Sequence, residues 1–235
     1  MKKNLDILIP IYNEDEVVLT TIQKILNVST CEYVINICYD YDEDPSLSLI
    51  KKKFTNERKL KFIKNESRGF NGALISGIKK TDGDAVLIYM ADDHENQEII
   101  DQCYNKFKDG YDLVCPSRYV DGGKMIGNPP IKKILTTCTS FFLNKIINFP
   151  IKDPTNSFRL FSRKFLNEVS FESKKGFTLS FELTAKAYKK KLKMIEIPSV
   201  WIERENRKSK FKIFSFISPY LKWLFYIVKA SIFKK

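Results

Sequence analysis

Three acidic residues and the single histidine of the chain follow directly after a short apolar run. The run, Ala85–Met90, is partly β-branched and predicts a buried strand, after which come Asp92, Asp93, His94 and Glu95. In a parallel α/β sheet, ligands bind at the carboxyl ends of the strands. Carboxylate oxygens there suit a hard divalent cation, Mg²⁺ or Mn²⁺, which in turn holds a diphosphate. The alternative is a solvated acidic turn that binds no ligand.

Two further predicted strands end in residues that suit a nucleotide. Leu5–Ile11 leads into Tyr12, and Tyr33–Tyr39 leads into Asp40. If the sheet is parallel, these two tips and the tip before Asp92 share one edge. Tyr12 would then pack on a base, Asp40 would accept a hydrogen bond from the base or ribose, and Asp92 would hold the metal.

Strand and helix patterns alternate at short spacing through the first half of the chain. This alternation predicts an α/β fold in which helices cover a mostly parallel sheet. The remaining predicted elements of this half are the helices Glu14–Leu26, Leu47–Phe54 and about Arg68–Lys80, and the strand Leu60–Lys64.

The bulk composition is that of a folded chain. With 235 residues, 43% hydrophobic and 29% charged, the chain is long enough for one sizeable domain with an appendage. Its five cysteines show no CxxC spacing, which argues against a zinc site or a disulfide framework and predicts a reducing compartment. The first apolar run is short and broken by Pro10, which argues against a signal peptide.

The net charge of +12 is unevenly distributed. Residues 1–158 carry 21 Lys and Arg against 22 Asp and Glu, a net charge of −1, whereas residues 159–235 carry 19 against 6, a net charge of +13. Such asymmetry predicts an anionic partner, either a membrane or a nucleic acid. The alternative is a general preference for lysine, since Lys, Asn and Ile are abundant throughout.

The last residues form a separate apolar and basic segment. Ser218-Pro219 predicts a helix start, and Lys222 and Lys229 fall on one helical face beside Trp223. This pattern is typical of a helix lying in a membrane interface, and the uninterrupted apolar runs are too short to span a bilayer. The alternative is a helix docked on the protein's own core or on a partner subunit. We therefore predict a domain over 1–211 and a membrane-interfacial segment over 212–235.

The ordered motifs of the chain resemble the GT-A glycosyltransferases of family 2. Ile9–Glu14 resembles their opening strand and turn, Asp40–Asp44 resembles their second acidic turn, and Gly69, Gly72 and Gly77 match their glycine-spaced helix.

Later motifs resemble the dolichol-phosphate mannose synthase branch of that family. Ser117-Arg118-Tyr119 with Gly122-Gly123 resembles its arginine-bearing loop, and Asp153–Arg159 resembles its acidic Phe-Arg motif. Arg204 with Ser209-Lys210-Phe211 resembles its C-terminal signature, so that the resemblance covers about residues 5–211.

This resemblance implies inverting transfer of a hexose from a nucleotide-diphospho-sugar to a polyprenyl or dolichyl phosphate. It implies Mg²⁺ or Mn²⁺ as cofactor, and together with the basic last third it predicts a cytoplasmic location at an anionic membrane surface. The basic residues interleave with apolar sequence and form no recognisable nucleic-acid-binding motif, so we predict no nucleic-acid partner. The implied site residues are Asp92, Arg118 and Arg204 for catalysis; Pro10, Tyr12, Glu14, Asp40, Arg68, Gly69 and Asp92 for the donor; Asp92 and His94 for the metal; and Lys132, Asp153, Arg159, Ser209 and Lys210 for the acceptor phosphate.

Two departures from the family pattern affect the predicted site. Met90 stands where the first acid of the family's Asp-x-Asp occurs, which predicts weaker metal binding unless Asp93 compensates. Lys132 or Lys133 replaces an arginine. Met90 and the basic last third of the chain keep open a non-catalytic protein that binds a nucleotide-sugar or a nucleic acid.

A second alternative is a glycosyltransferase of the same fold with a saccharide hydroxyl as acceptor. A phosphate acceptor is already an anion, whereas a hydroxyl acceptor requires a general base. Asp153 and Glu182 are the candidates for that base.

Overall fold

A computed structural model describes residues 4–127, 137, 139–174, 176–202 and 213–232. The strands are β1 Leu5–Ile11, β2 Tyr33–Tyr39, β3 Leu60–Lys64, β4 Ala85–Ile88, β5 Leu113–Ser117, β6 Lys124–Ile126, β7 Arg159–Ser162, β8 Met194–Pro198 and β9 Val200–Ile202. The helices are α1 Val17–Val28, α2 Pro45–Lys53, α3 Phe70–Lys79, α4 Ile99–Lys108, the short π-helix Phe142–Ile146, α5 Arg163–Glu168, α6 Leu179–Lys189 and α7 Ile213–Ile232.

Seven strands form one sheet in the order β3-β2-β1-β4-β7-β5-β8. β1 pairs in parallel with both β2 and β4, so the tips of these three strands lie at one edge of the sheet. β7 is antiparallel to its neighbours β4 and β5, and β8 is again parallel to β5. β6 and β9 form a separate parallel pair. The predicted α/β fold with a mostly parallel sheet is confirmed.

Helices cover both faces of the sheet, because β1 buries alternate residues on opposite sides. Leu5, Ile7 and Ile9 lie in one apolar cluster together with the inner faces of α1, α2 and α4. Leu8 lies in the other cluster, to which α3, α5, α6 and α7 contribute. Side chains that alternate along a strand point to opposite faces, so a run that is apolar throughout is buried on both.

The elements predicted in the first half of the chain agree with the structure in type, and several of their boundaries differ by one to three residues. The predicted strand through Met90 ends at Ile88, although the Tyr89 amide still donates to the Leu8 carbonyl. The helix predicted from Glu14 begins at Val17, because the chain first makes a turn in which Asn13 has a φ of +49°.

The C-terminal helix α7 begins earlier than predicted. It starts at Ile213 and includes Pro219, so the prediction of a start at Ser218-Pro219 is wrong. The helix packs against α6, with Trp223 and Ile227 fully buried in the second apolar cluster. Within the described part of the chain, no helix combines the length and apolar character needed to cross a membrane.

Candidate functional site

The turn after β1 is held by a buried carboxylate that sequence reasoning did not single out. Asp44 is fully buried and accepts hydrogen bonds from the Asn13 amide at 3.0 Å and the Ser46 amide at 2.8 Å. The Ser46 hydroxyl accepts from the Glu14 amide at 2.7 Å. Asp44 precedes Pro45 and caps α2, so the Asp-Pro pair was the available sequence signal. This network fixes the tip of β1 against α2.

Two tyrosines stand at the edge formed by β1 and β2. Tyr12 is 51% exposed, and its ring meets that of Tyr41 edge-on, with centroids 6.0 Å apart. The Tyr41 hydroxyl donates to Asn13 Oδ1 at 2.5 Å. An exposed aromatic face at a strand tip can accept a stacked base, as predicted for Tyr12.

Asp40, at the tip of β2, connects that strand to the start of α3. One carboxylate oxygen accepts from Asn65 Nδ2 at 2.7 Å, and the other accepts from the Gly69 amide at 2.9 Å. Each carboxylate oxygen has a second lone pair, so a nucleoside donor can still reach Asp40. Arg68, beside this junction, is exposed.

The start of α3 needs glycine at two positions. Gly69, the residue before the helix, has a φ of +88°, a left-handed conformation that glycine adopts without strain. At Gly72, a Cβ atom would lie 2.0 Å from the Ser67 carbonyl oxygen, so the loop packs directly on the helix backbone. The helix therefore presents its N-terminal, positive end beside Asp40, at the edge where a diphosphate is predicted.

The loop after β4 holds the predicted metal ligands. Asp92 and His94 are both partly exposed, and His94 Nε2 lies 3.2 Å from Glu95 Oε1. No group of three or more His, Cys, Asp or Glu side chains in the described residues is arranged to hold a metal by itself. Mg²⁺ and Mn²⁺ at diphosphate sites take only one or two protein ligands, and substrate oxygens supply others. Asp92 and His94 fit that partial ligand set.

Asp93 does not supply a compensating ligand, because its carboxylate faces inward. Asp93 is 6% exposed, and its Oδ1 accepts hydrogen bonds from the backbone amides of Glu95 and Asn96. The side-chain amide of Asn96 also donates through Nδ2 to Oδ1 at 2.9 Å and to Oδ2 at 2.7 Å. Burial raises the pKa of Asp93 to about 6, while these hydrogen bonds act in the opposite direction. The hypothesis that Asp93 replaces the acid missing at Met90 is therefore corrected.

β9 forms the opposite wall of a small cleft above this loop. The cleft is shallow, and its lining residues are Asp92, Asp93, His94, Glu95, Val200, Trp201 and Ile202. An acidic floor and an apolar wall with a tryptophan thus face each other beside the tip of β4.

Arg118 and Asp153 form a buried ion pair beyond β5. Arg118 Nε and Nη2 donate to the two oxygens of Asp153, each at 2.7 Å, and the Arg118 amide donates at 3.0 Å. Burial tends to raise the pKa of Asp153, but the charge and hydrogen bonds of Arg118 outweigh it and hold that pKa below its usual value. Asp153 is therefore ionised and already paired, which makes it a weak base.

Arg159 lies inside the protein, which corrects its predicted contact with the acceptor phosphate. It is fully buried, and its guanidinium donates to the Asn156 carbonyl at 2.6 Å, to Thr184 Oγ1 at 2.8 Å and to the Asp153 carbonyl. These contacts join β7 to α6 and to the Asp153 loop. Through its hydrogen bond to the Asp153 carbonyl, Arg159 helps to hold Asp153 in position to pair with Arg118.

Glu182 is also fully buried, which argues against its role as the base for a hydroxyl acceptor. Its carboxylate accepts from the Glu172 amide at 2.8 Å, the Ser173 amide at 2.7 Å and Lys186 Nζ at 2.7 Å. It therefore anchors the loop before α6. Four other predicted site residues, Lys132, Arg204, Ser209 and Lys210, lie outside the described residues.

Comparison with known families decides what this arrangement belongs to. The model of the glycosyl transferase family 2 matches residues 6–170, which span the strand tips of β1, β2 and β4 and the Arg118–Asp153 pair. The chain belongs to glycosyl transferase family 2.

Two curated proteins are similar to the chain over most of its length. A dolichol-phosphate mannosyltransferase of Pyrococcus furiosus is 27% identical over 231 residues, which cover 96% of this chain and 64% of that protein. The putative glycosyltransferase CsbB of Bacillus subtilis is 27% identical over 179 residues, covering 72% of this chain and 51% of that protein. The chain thus spans between about half and two thirds of the length of these relatives.

Solved structures show that this family 2 chain has the GT-A fold. Glucosyl-3-phosphoglycerate synthase from Mycobacterium tuberculosis, in complex with Mn²⁺, UDP and glucosyl-3-phosphoglycerate, superposes with a TM-score of 0.72 at 12% identity. The match covers 97% of this chain and 80% of that one. The predicted GT-A fold is confirmed.

Proposed function

We propose that this family 2 chain transfers a hexose, with inversion, from a nucleotide-diphospho-sugar to a polyprenyl or dolichyl phosphate. The relative from Pyrococcus furiosus, a dolichol-phosphate mannosyltransferase, supports the lipid-phosphate acceptor. The GT-A neighbour bound to Mn²⁺ and UDP supports a nucleotide donor and a divalent metal, Mg²⁺ or Mn²⁺. The proposed place of action is the cytoplasmic face of a membrane.

The donor would lie along the edge formed by the tips of β1, β2 and β4. Tyr12 offers an exposed ring to the base, and Asp40 offers a carboxylate to the nucleoside. The N-terminus of α3 directs its positive end toward the diphosphate. Asp92 and His94 would hold the metal, which when bound stabilises the negative charge that develops on the leaving diphosphate.

The proposal of a phosphate acceptor rests on the burial and pairing of the two candidate bases, Asp153 and Glu182. Asp153 is buried in an ion pair that lowers its pKa, and Glu182 is buried against Lys186 and two backbone amides. Neither carboxylate is placed to remove a proton from a hydroxyl. A phosphate acceptor needs no such base, because it attacks as an anion that only has to be positioned.

The C-terminal helix supports a membrane location. Leu221, Phe225 and Ile232 are 41%, 66% and 65% exposed, and their spacing places them on one side of α7, opposite the buried Trp223. Lys222 and Lys229 are exposed beside this apolar face. An outward apolar stripe flanked by lysines fits the interface of an anionic membrane.

A donor screen with a metal-site variant tests the proposal. Purified protein, Mn²⁺ or Mg²⁺ and a short-chain polyprenyl phosphate are incubated with a panel of nucleotide-sugars, and glycosylated lipid is measured. We expect product with one donor, and its near-complete loss in Asp92→Asn. Asp109→Asn is the matched control, because this exposed acid lies at the far end of α4 and pairs only with Lys106 among the contacts described.

Other results would redirect or overturn the proposal. Transfer to a saccharide hydroxyl instead of the lipid phosphate would make the acceptor wrong and the donor right. Metal-dependent nucleotide-sugar binding with no transfer to either acceptor would indicate a binding protein. Full activity of Asp92→Asn in the presence of a chelator would remove the metal from the mechanism.

A further inference from the structure

We propose that Asn96 is a positioning residue that fixes the Asp92–Glu95 loop against β9, so that metal-dependent nucleotide binding requires its side-chain amide. This inference rests on the proposed function, since it concerns how the donor site is held. Asn96 itself is 4% exposed and lies behind the cleft lining, where its side chain bonds to Asp93 and to β9.

Asn96 makes a two-sided connection with its single amide group. Toward the loop, Nδ2 donates to both oxygens of Asp93. Toward β9, Nδ2 donates to the Val200 carbonyl at 2.7 Å, and Oδ1 accepts from the Val200 amide at 2.9 Å. The amide therefore pairs with both backbone groups of Val200 as a neighbouring strand would.

The hydrogen bonds of Asn96 join the loop that contains Asp92 to the strand β9 on the opposite side of the cleft. Asp93 immediately follows Asp92, the proposed metal ligand, and Gln97 Nε2 donates to the Asp93 carbonyl at 3.0 Å, which ties it to the start of α4. On the other side, Val200 opens β9, whose residues Trp201 and Ile202 line the cleft opposite Asp92. The Asn96 amide therefore contributes to holding the Asp92–Glu95 loop and β9 at a fixed spacing across the cleft.

The connection has a structural counterpart elsewhere that serves as a control. Asn36 is fully buried, and its Nδ2 donates to Asp6 Oδ1 at 3.1 Å and to the Val34 carbonyl at 3.3 Å. Asp6 is the second residue of β1, at the amino end of the strand and away from the tips that form the proposed donor site. Removing either asparagine breaks a buried Asn–Asp hydrogen bond, but only Asn96 adjoins the predicted metal ligands.

The test compares three variants by calorimetry with Mn²⁺ and UDP, and in parallel Mn²⁺ and GDP. They are Asn96→Ala, Asn36→Ala and the double variant Asp93→Leu/Asn96→Ala. The double variant is included because Asn96→Ala leaves the Asp93 carboxylate buried without its side-chain donor, whereas removal of both polar groups avoids that penalty. Thermal unfolding is recorded for each.

We expect Asn96→Ala and the double variant to bind the nucleoside diphosphate at least about tenfold more weakly in Mn²⁺, as is usual when a residue supporting a metal ligand is lost. Asn36→Ala should bind like the wild type despite a lower melting temperature. A second readout is fluorescence, since Trp201 is one of two tryptophans and lines the cleft. In the wild type we expect bound Mn²⁺ to quench Trp201 fluorescence, and Trp201→Phe should lack this quenching. In both Asn96 variants the quenching should be weaker than in the wild type.

The outcomes separate this inference from the proposed function. Wild-type affinity in a folded double variant would overturn the positioning role of Asn96 and leave the donor site intact. Equal loss of binding in Asn36→Ala would reduce the effect to general destabilisation and overturn the positioning role as well. If the wild-type protein binds neither UDP nor GDP with Mn²⁺, the proposed function fails, and the inference fails with it.

Discussion

The ion pair between Arg118 and Asp153 is the residue-scale feature with the clearest consequence. The Asp153 side chain is fully buried and the Arg118 side chain is 13% exposed, so neither charge is solvated if the other is removed. Breaking a buried pair typically costs about 3 to 5 kcal/mol of folding free energy. We therefore expect Asp153→Ala to lower the free energy of unfolding by roughly that amount, as measured by urea denaturation.

The control for this prediction is Asp109→Asn, which changes an exposed acid and should alter stability by no more than about 0.5 kcal/mol. A normally stable Asp153→Ala protein that binds donor and has lost transfer would contradict the structural role. In that case Asp153 would be the base for a hydroxyl acceptor.

Sequence predicted the positions of the strand-tip residues better than those of the residues behind them. Tyr12 and Asp40 directly follow β1 and β2, and Asp92 lies in the loop after β4, so the alternation of strand and helix determines which edge they share. Arg159 and Glu182 could not be assigned in this way. A charged residue is buried only if its partner comes from another part of the chain, and no local pattern identifies such a partner.

At the scale of elements, the close packing of α3 on the preceding loop predicts a strong effect of Gly72→Ala. The added Cβ would meet the Ser67 carbonyl oxygen at 2.0 Å, so the loop at Ser67 and the first turn of α3 must move apart. We expect a stability loss of about 1 to 3 kcal/mol, as for other overpacked sites, with weaker binding of the nucleoside diphosphate.

Gly110→Ala separates the two effects. Gly110 has a φ of +92° but open space around it, so alanine there adds backbone strain without a steric clash. It should reduce stability and leave nucleotide binding unchanged. Unaltered binding in Gly72→Ala, measured by calorimetry, would show that the start of α3 does not contact the diphosphate.

The element boundaries show which signals are local. The strands β1, β2 and β3 were predicted with the bounds that the structure has, because their apolar runs end in polar residues. The start of α1 was predicted too early, because the turn that precedes the helix is held by Asp44, which is 31 residues away from Asn13. The start of α7 was predicted too late. A proline favours the first turn of a helix, but it is tolerated inside a helix that tertiary contacts stabilise.

An ionic cluster predicts that acid weakens the docking of α7. Glu172 pairs with Lys186 and Lys222, each at 2.8 Å, and the hydrogen bonds from these lysines lower the pKa of Glu172 to about 2. A carboxylate whose pKa is lower in the folded state stabilises it above the unfolded pKa, and that contribution is lost as pH falls toward the folded pKa. The loss should therefore occur between about pH 4.5 and pH 2.

Fluorescence of the buried Trp223 measures this change, because its ring lies 4.7 Å from Lys222 Nζ and its Nε1 donates to Ser173. Glu172→Gln removes the titrating group and should flatten the pH dependence in that window. An identical acid transition in Glu172→Gln would assign it to another group.

For the whole molecule, the two faces of α7 explain how a basic, apolar C-terminal segment belongs to a folded enzyme domain. The inner face completes the second apolar cluster through Trp223 and Ile227. The docking alternative from sequence is therefore correct for this face, and the membrane prediction concerns only the outer face. A period of 3.6 residues can predict two apolar faces but does not distinguish which one meets the core.

The last prediction concerns that outer face. Replacing Leu221, Phe225 and Ile232 by serine removes exposed apolar area without touching the buried side, so folding should be retained. Because interfacial binding scales with inserted apolar area and with attraction to anionic lipid, we expect the triple variant to lose most of its co-sedimentation with anionic liposomes. Val28→Ser, at the exposed end of α1, is the control. Lys229→Gln should weaken binding to anionic vesicles but not to zwitterionic ones. If the triple variant partitions to anionic liposomes as the wild type does, α7 is excluded as the membrane contact.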